Sequence, residues 1–105
     1  SGENSDAWIA AFRRLQEKNN IGWCFWPYKK MDAKSCLVTF DRPKNWDTIA
    51  KYANGPRGSF ATLRANRPAA EIVLKALDDF VELSSFRNCR VNAGYLHALG
   101  MELPR

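Results

Sequence analysis

Asp6 to Lys18 carries Trp8, Ile9, Phe12 and Leu15 at i, i+1, i+4 and i+7, with Arg13, Arg14, Gln16, Glu17 and Lys18 between them. That spacing predicts one apolar face of a helix. Ser5 or Asp6 is its expected N-cap, and Asn19-Asn20 its stop. Ile21 to Trp26 (IGWCFW) follows almost without a linker and is nearly continuously apolar. A short apolar run of this kind predicts a strand covered on both faces, as in parallel sheets. Period-two geometry puts Cys24, Trp26 and Tyr28 on one face, with Trp23 and Phe25 on the other.

Met31 to Asn45 reads as a long irregular stretch, with Cys36 to Phe40 as a short extra strand inside it. Asn45 is expected to cap a helix bearing Trp46, Ile49, Ala50 and Ala53, stopped by Asn54-Gly55 and Pro56. Ser59 is expected to cap a short helix with Phe60, Leu63 and Arg64. Pro68 fits as first residue of a longer helix reaching about Leu83, with Ile72, Val73, Ala76, Leu77, Phe80 and Val81 on one face. Asn92 to Leu99, closed by Gly100, predicts a final capped helix. One convincing strand among four or five helices is not self-sufficient, because strand backbone groups need partners on both sides. The expectation is therefore a sheet whose other strands lie on another polypeptide, rather than an all-α bundle with one odd extended segment.

Composition narrows the picture. The 105 residues are 46% hydrophobic and 26% charged, which predicts a folded chain of one-domain size. No run of eighteen apolar residues is present, so no transmembrane helix is expected. The start SGENSD has neither an initiator Met nor the basic and apolar regions of a signal peptide, so the chain is expected to begin inside a longer reading frame. Net charge is +5, which raises nucleic acid as a partner. The basic residues form no block of five or more and read as solvated faces and loop charges, so no nucleic-acid partner is expected.

Cys24, Cys36 and Cys89 lack metal-ligand spacing, and an odd number argues against a complete disulfide framework while leaving room for one bridge. Cys24, inside the apolar run, reads as a small buried hydrophobe. His97 is the single histidine, which argues against metal ligation and a Ser-His-Asp triad. No cofactor is expected.

GENSDAWI, NIGWCFWPYKKMD, FDRPKNWDTIAKYANGPRG and FRNCRVNAGYLHALG together resemble glycoside hydrolase family 5, the cellulase-type (β/α)8 barrels. The resemblance spans almost the whole chain. It implies an α/β fold in which residues 1–105 are the C-terminal segment of one TIM-barrel catalytic domain: helix 7, strand 8, a long loop and terminal helices. Such barrels need at least about 200 residues, so it further implies an N-terminal partner chain carrying the remaining strands.

The implied activity is part of a retaining endo-β-1,4-glucanase acting on β-glucan oligosaccharides. Two carboxyls about 5–5.5 Å apart carry its double displacement. The acid/base would lie outside this chain. For the nucleophile two registers fit. Gly2-Glu3 matches the family's Gly-Glu pair and makes Glu3 the nucleophile; a Gly-Glu-x-Gly-Glu-Asn pattern instead puts it before Ser1 and leaves Glu3 in a loop near the site. Trp26 matches the aromatic at the end of strand 8, a flat platform for a pyranose, against which stands plain core packing. Tyr28 and Lys29 (or Lys30) join it as substrate contacts, with a solvated rim charge as the other reading of the lysines. Trp46 is a distal sugar contact or, by its helical spacing, core.

A secreted or periplasmic location is implied by the resemblance. The other function the residues allow is a small basic carbohydrate- or nucleic-acid-binding module without catalysis.

Overall fold

The computed structural model describes residues 5–102. In order they form α1 (Ser5–Lys18), β1 (Lys29–Met31), β2 (Val38–Phe40), α2 (Trp46–Ala53), α3 (Phe60–Asn66), α4 (Ala70–Ser84), a 3-10 turn (Phe86–Asn88), β3 (Arg90–Val91) and α5 (Ala93–Ala98). This is a mixed helix/sheet chain with one three-stranded sheet, ordered β1-β2-β3. It divides into two compact units: residues 5–41 with 89–102, and Arg42–Asn88.

In the first unit, α1 ends as its residues dictate. Asn19 N–H bonds to Leu15 O and Gln16 O, its side-chain amide also reaches Leu15 O, and Asn20 turns left-handed at φ 55°. The helix already begins at Ser5, so Ser5 lies within it rather than at a cap. Ile9 of α1 is buried with Tyr95, Ala98 and Leu99 of α5, and Ala10, Trp23, Phe25 and Leu37 close the cluster. Phe25 meets the Tyr95 ring edge-on at 5.6 Å, a favoured aromatic geometry.

The strand expected at Ile21–Trp26 is not formed. That run is extended coil, and the ladder starts beyond it, at Lys29. β2 lies within the short extra strand expected at Cys36 to Phe40, whereas β1 and β3 fall outside any expected strand. β1 runs parallel to β2 with Lys29 opposite Val38, and β2 runs antiparallel to β3 with Val38 opposite Val91. Parallel neighbours usually need a dozen or more connecting residues. Six are enough here, because each strand is only three residues long, about 10 Å. Asp32, left-handed at φ 49°, starts the reversal, and its N–H bonds to Phe40 O. Val38 and Phe40 are buried while Thr39 between them is half-buried, the alternation of a one-faced strand.

Two polar anchors hold this unit. Asn92 N–H bonds to Leu37 O, its amide to Lys34 O, and its Oδ1 accepts from Tyr95 N, so one residue caps α5 and ties it to the β2 approach. Arg13 Nε donates to Ala98 O at 3.0 Å, placing a cation on the C-terminal carbonyls of α5. That helix closes with Gly100 N–H on His97 O and Met101 N–H on Leu96 O, the paired bonds of a Schellman end.

In the second unit, Asn45 precedes α2 as expected, but it is left-handed (φ 63°) and makes no side-chain cap bond. Asn54 and Gly55 stop the helix. Ser59 caps α3 through Thr62 N–H at 3.1 Å. Pro68 lies outside α4, which begins at Ala70. The residue before a proline avoids helical backbone, and here the extended turn runs two residues further. Trp46 stacks on Phe80 at 5.2 Å and 16°, the packing alternative for that indole.

Two outcomes follow. Gly100 sits at φ 74°, and an added Cβ would lie 3.2 Å from the Arg13 guanidinium. Gly100→Ala should therefore destabilise the chain by about 1–2 kcal/mol in thermal unfolding. Asp41 is held below its ordinary range by the hydrogen bond and charge of Arg90, a 2.8 Å contact beside the β2–β3 ladder. A lowered folded pKa contributes stability above the unfolded value of about 3.9, lost as pH falls through the folded value. Asp41→Asn should lower Tm at pH 7, with the gap from the parent closing at pH values below the ordinary aspartate range.

Candidate functional site

Residues 21–28 form the most unusual surface of the first unit. Gly22 to Trp26 make no backbone hydrogen bond with any described residue, while Ile21 N–H reaches back to Gln16 O and Tyr28 O accepts from Val38 N–H. The segment is thus pinned at both ends and unpaired between them. The expected period of two holds along it: Trp23, Phe25 and Pro27 are half-buried, and Cys24, Trp26 and Tyr28 are exposed. The half-buried face packs toward the α1/α5 cluster, which explains why an extended form persists without a ladder. The Trp26–Pro27 bond is cis.

Trp26 is 89% exposed. It lines a cleft of about 300 Å³ with Trp8, Phe12, Gln16 and Trp23. Trp8 and Phe12 stack at 5.2 Å and 6°. Tyr28 is exposed and Lys29 is half-buried in β1, its Nζ 5.9 Å from the Tyr28 ring centroid; neither lines the cleft. Lys30 donates to Ser35 Oγ at 3.1 Å. Glu3 lies outside the described residues. The structure thus groups Trp26 with Trp8 and Phe12 and leaves Tyr28 and Lys29 beside them, on the β1 side.

The Trp8/Phe12 contribution was hidden in the sequence. An i, i+4 aromatic pair on an apolar stripe reads as core, yet Trp8 is 65% exposed and Leu15 59% exposed. Fully burying one such side chain is worth about 1.5–3 kcal/mol, against a whole-domain stability of about 5–15 kcal/mol. A contiguous uncovered aromatic surface of this kind marks an interaction site. Two of the lining side chains share one acceptor: Glu17 accepts from Trp23 Nε1 at 3.3 Å and from Arg13 Nη1 at 2.8 Å.

No group of three or more His, Cys, Asp or Glu able to hold a metal exists among the described residues. His97 is exposed on α5. None of the three cysteines is in a disulfide, and Cys24 is exposed, contrary to its expected burial: it occupies the outward parity of the run, and the buried thiol is Cys36. Cys36 Sγ contacts Ala33 O and Val38 O at 3.3 and 3.2 Å. No described helix is long and apolar enough to cross a membrane.

The class these features define is a small mixed helix/sheet chain presenting an unpaired extended segment beside an aromatic cleft. No family model, no curated protein and no solved structure matches it.

Thiol labelling reports this geometry directly. Cys24 should react with an aromatic disulfide reagent at least tenfold faster than Cys36, because reactivity follows access to the thiolate. Cys24→Ser should remove the fast phase.

Proposed function

We propose that this chain completes the barrel of a retaining endo-β-1,4-glucanase of the glycoside hydrolase family 5 type. Its extended segment takes the place of strand 8 between strands of a partner polypeptide, with Trp26 as a sugar platform. One observation carries the reading: a pinned, extended, apolar segment without backbone partners among the described residues ends in a tryptophan that is 89% exposed. Buried backbone N–H and C=O groups must be paired, so an apolar segment of this kind fits the interior of a larger sheet. Trp8, Phe12 and Leu15 on α1 would then supply apolar area for the same association.

An indole offers a flat apolar face to the C–H face of a pyranose, and such ligand sites combine apolar walls with few polar groups. Tyr28 and Lys29 would donate to hydroxyls at the rim. The nucleophile, either Glu3 or a carboxylate before Ser1, and the acid/base outside this chain would perform the double displacement. The protein would act where β-glucans are met, in a secreted or periplasmic setting. The exposure of Trp26 also favours a second reading, a carbohydrate-binding module without catalysis.

The test is reconstitution with a polypeptide carrying the seven other βα units. The expected result is a one-to-one complex by native mass spectrometry, slowed labelling of Cys24, and hydrolysis of soluble β-1,4-glucan with retained anomeric configuration. Trp26→Ala in that complex should lower kcat/KM about tenfold or more, equivalent to about 1.4 kcal/mol of transition-state binding. A chain that stays monomeric, or a complex whose turnover is indifferent to Trp26→Ala, overturns the proposal. Cello-oligosaccharide binding by the chain alone, lost in Trp26→Ala and without turnover in any complex, would establish the binding module instead.

A further inference from the structure

The second unit carries a cleft of about 410 Å³ between the end of α2 and the end of α3, within the size range of small-ligand sites. Thr48, Lys51 and Tyr52 of α2 and Asn66 of α3 line it, with Pro56 and Pro68 as apolar walls. The polar groups of this lining are not used by the protein. Neither the Thr48 hydroxyl, the Lys51 ammonium nor the Tyr52 hydroxyl has a partner among the described residues. Asn66 donates its amide to Thr62 O at 2.9 Å, which fixes the group and leaves its Oδ1 as an acceptor. The acid nearest in sequence, Asp47, is paired with Arg42 instead of Lys51.

The lining holds one charged group, Lys51, and the segment that supplies it is basic in sequence. Between Arg42 and Arg67 lie six basic residues (Arg42, Lys44, Lys51, Arg57, Arg64, Arg67) and one acid, Asp47. That segment alone carries a formal +5, the entire net charge of the chain, and the remaining residues balance to zero. Arg57 is held at the cleft end of α2, where its Nε and Nη2 both donate to Ala53 O. Gly55 is packed under the last turn of α2, with Lys51 O 3.0 Å from where its Cβ would stand, so this end of the cleft is closely built. A cation in a concave wall favours ligands of the opposite charge.

We infer that this cleft binds a carboxylate-bearing sugar, a uronate unit of an acidic oligosaccharide. Lys51 takes the carboxylate as the single charged group of the lining. Thr48, Tyr52 and Asn66 supply the hydroxyl and carbonyl groups that a polyol requires, and the prolines face its apolar sides. One cation within a concave wall suits a monoanionic unit. A nucleic acid would instead be met by a groove of several cations with exposed stacking aromatics, and Tyr52 is half-buried. The inference is independent of the glucan reading, since Trp26 and its cleft belong to the other unit.

The experiment is a titration of the isotopically labelled chain with tetragalacturonate, followed by amide chemical shifts. Saturable shifts centred on Thr48, Lys51, Tyr52 and Asn66 are expected. The carboxyl-reduced, neutral tetrasaccharide should bind at least tenfold more weakly. Lys51 is exposed on a helix, where alanine is well tolerated, so Lys51→Ala should keep the fold and weaken tetragalacturonate binding about tenfold. Lys51→Arg should retain most of it. Absence of shifts at millimolar ligand, equal binding of the neutral sugar, or indifference to Lys51→Ala overturns the inference. So does preferential binding of an oligothymidylate at the same residues.

Discussion

Backbone hydrogen bonding governs this molecule more than any side-chain contact. A peptide group withdrawn from water must find a partner, and Gly22 to Trp26 have none among the described residues. The segment nevertheless stays extended, because it is tied at Ile21 to the end of α1 and at Tyr28 to the start of β2. Trp23 and Phe25 press one of its faces onto the α1/α5 cluster. Its other face is exposed, and no described residue pairs with its backbone edges. The cleft, the exposed Trp26 and the proposal of a completing sheet all descend from that arrangement.

What secures the first unit is a small number of polar anchors around a modest core. Asn92 and Arg13 each join segments far apart in the chain, at Leu37 and Lys34 for the first and Ala98 for the second. Among the described residues Ile9, Tyr95, Ala98 and Leu99 form the buried cluster, with Cys36, Val38 and Phe40 buried elsewhere in the unit. Such a core leaves the outer stripe of α1 without cover, so Trp8, Phe12 and Leu15 become surface. An amphipathic helix facing too little protein is a helix with apolar area left for another partner.

The second unit is organised differently. Its helices are set by local signals, Ser59 before α3 and Asn54-Gly55 after α2, and the Trp46–Phe80 stack joins α2 to α4. It also concentrates the chain's positive charge before α4, while Glu71, Asp78, Asp79 and Glu82 lie on α4 itself. Exposed pairs such as Arg87 with Glu82 neutralise part of that helix. They contribute little stability.

The helices, their stops and the parity of the apolar run were legible from the residues alone, because these depend on neighbours within a few residues. Asn19-Asn20, Asn54-Gly55, Ser59, Asn92 and Gly100 all act where their chemistry points. Sheet pairing was decided by tertiary structure. Ile21–Trp26 has the stronger strand composition, yet Lys29–Met31 forms the ladder because only there do β2 and its flanking bonds come within reach. Cys24 went from expected burial to surface, and Trp8 on the apolar face of α1 is exposed, for a related reason. Periodicity shows which residues share a face, but only three-dimensional packing decides which faces find something to cover them.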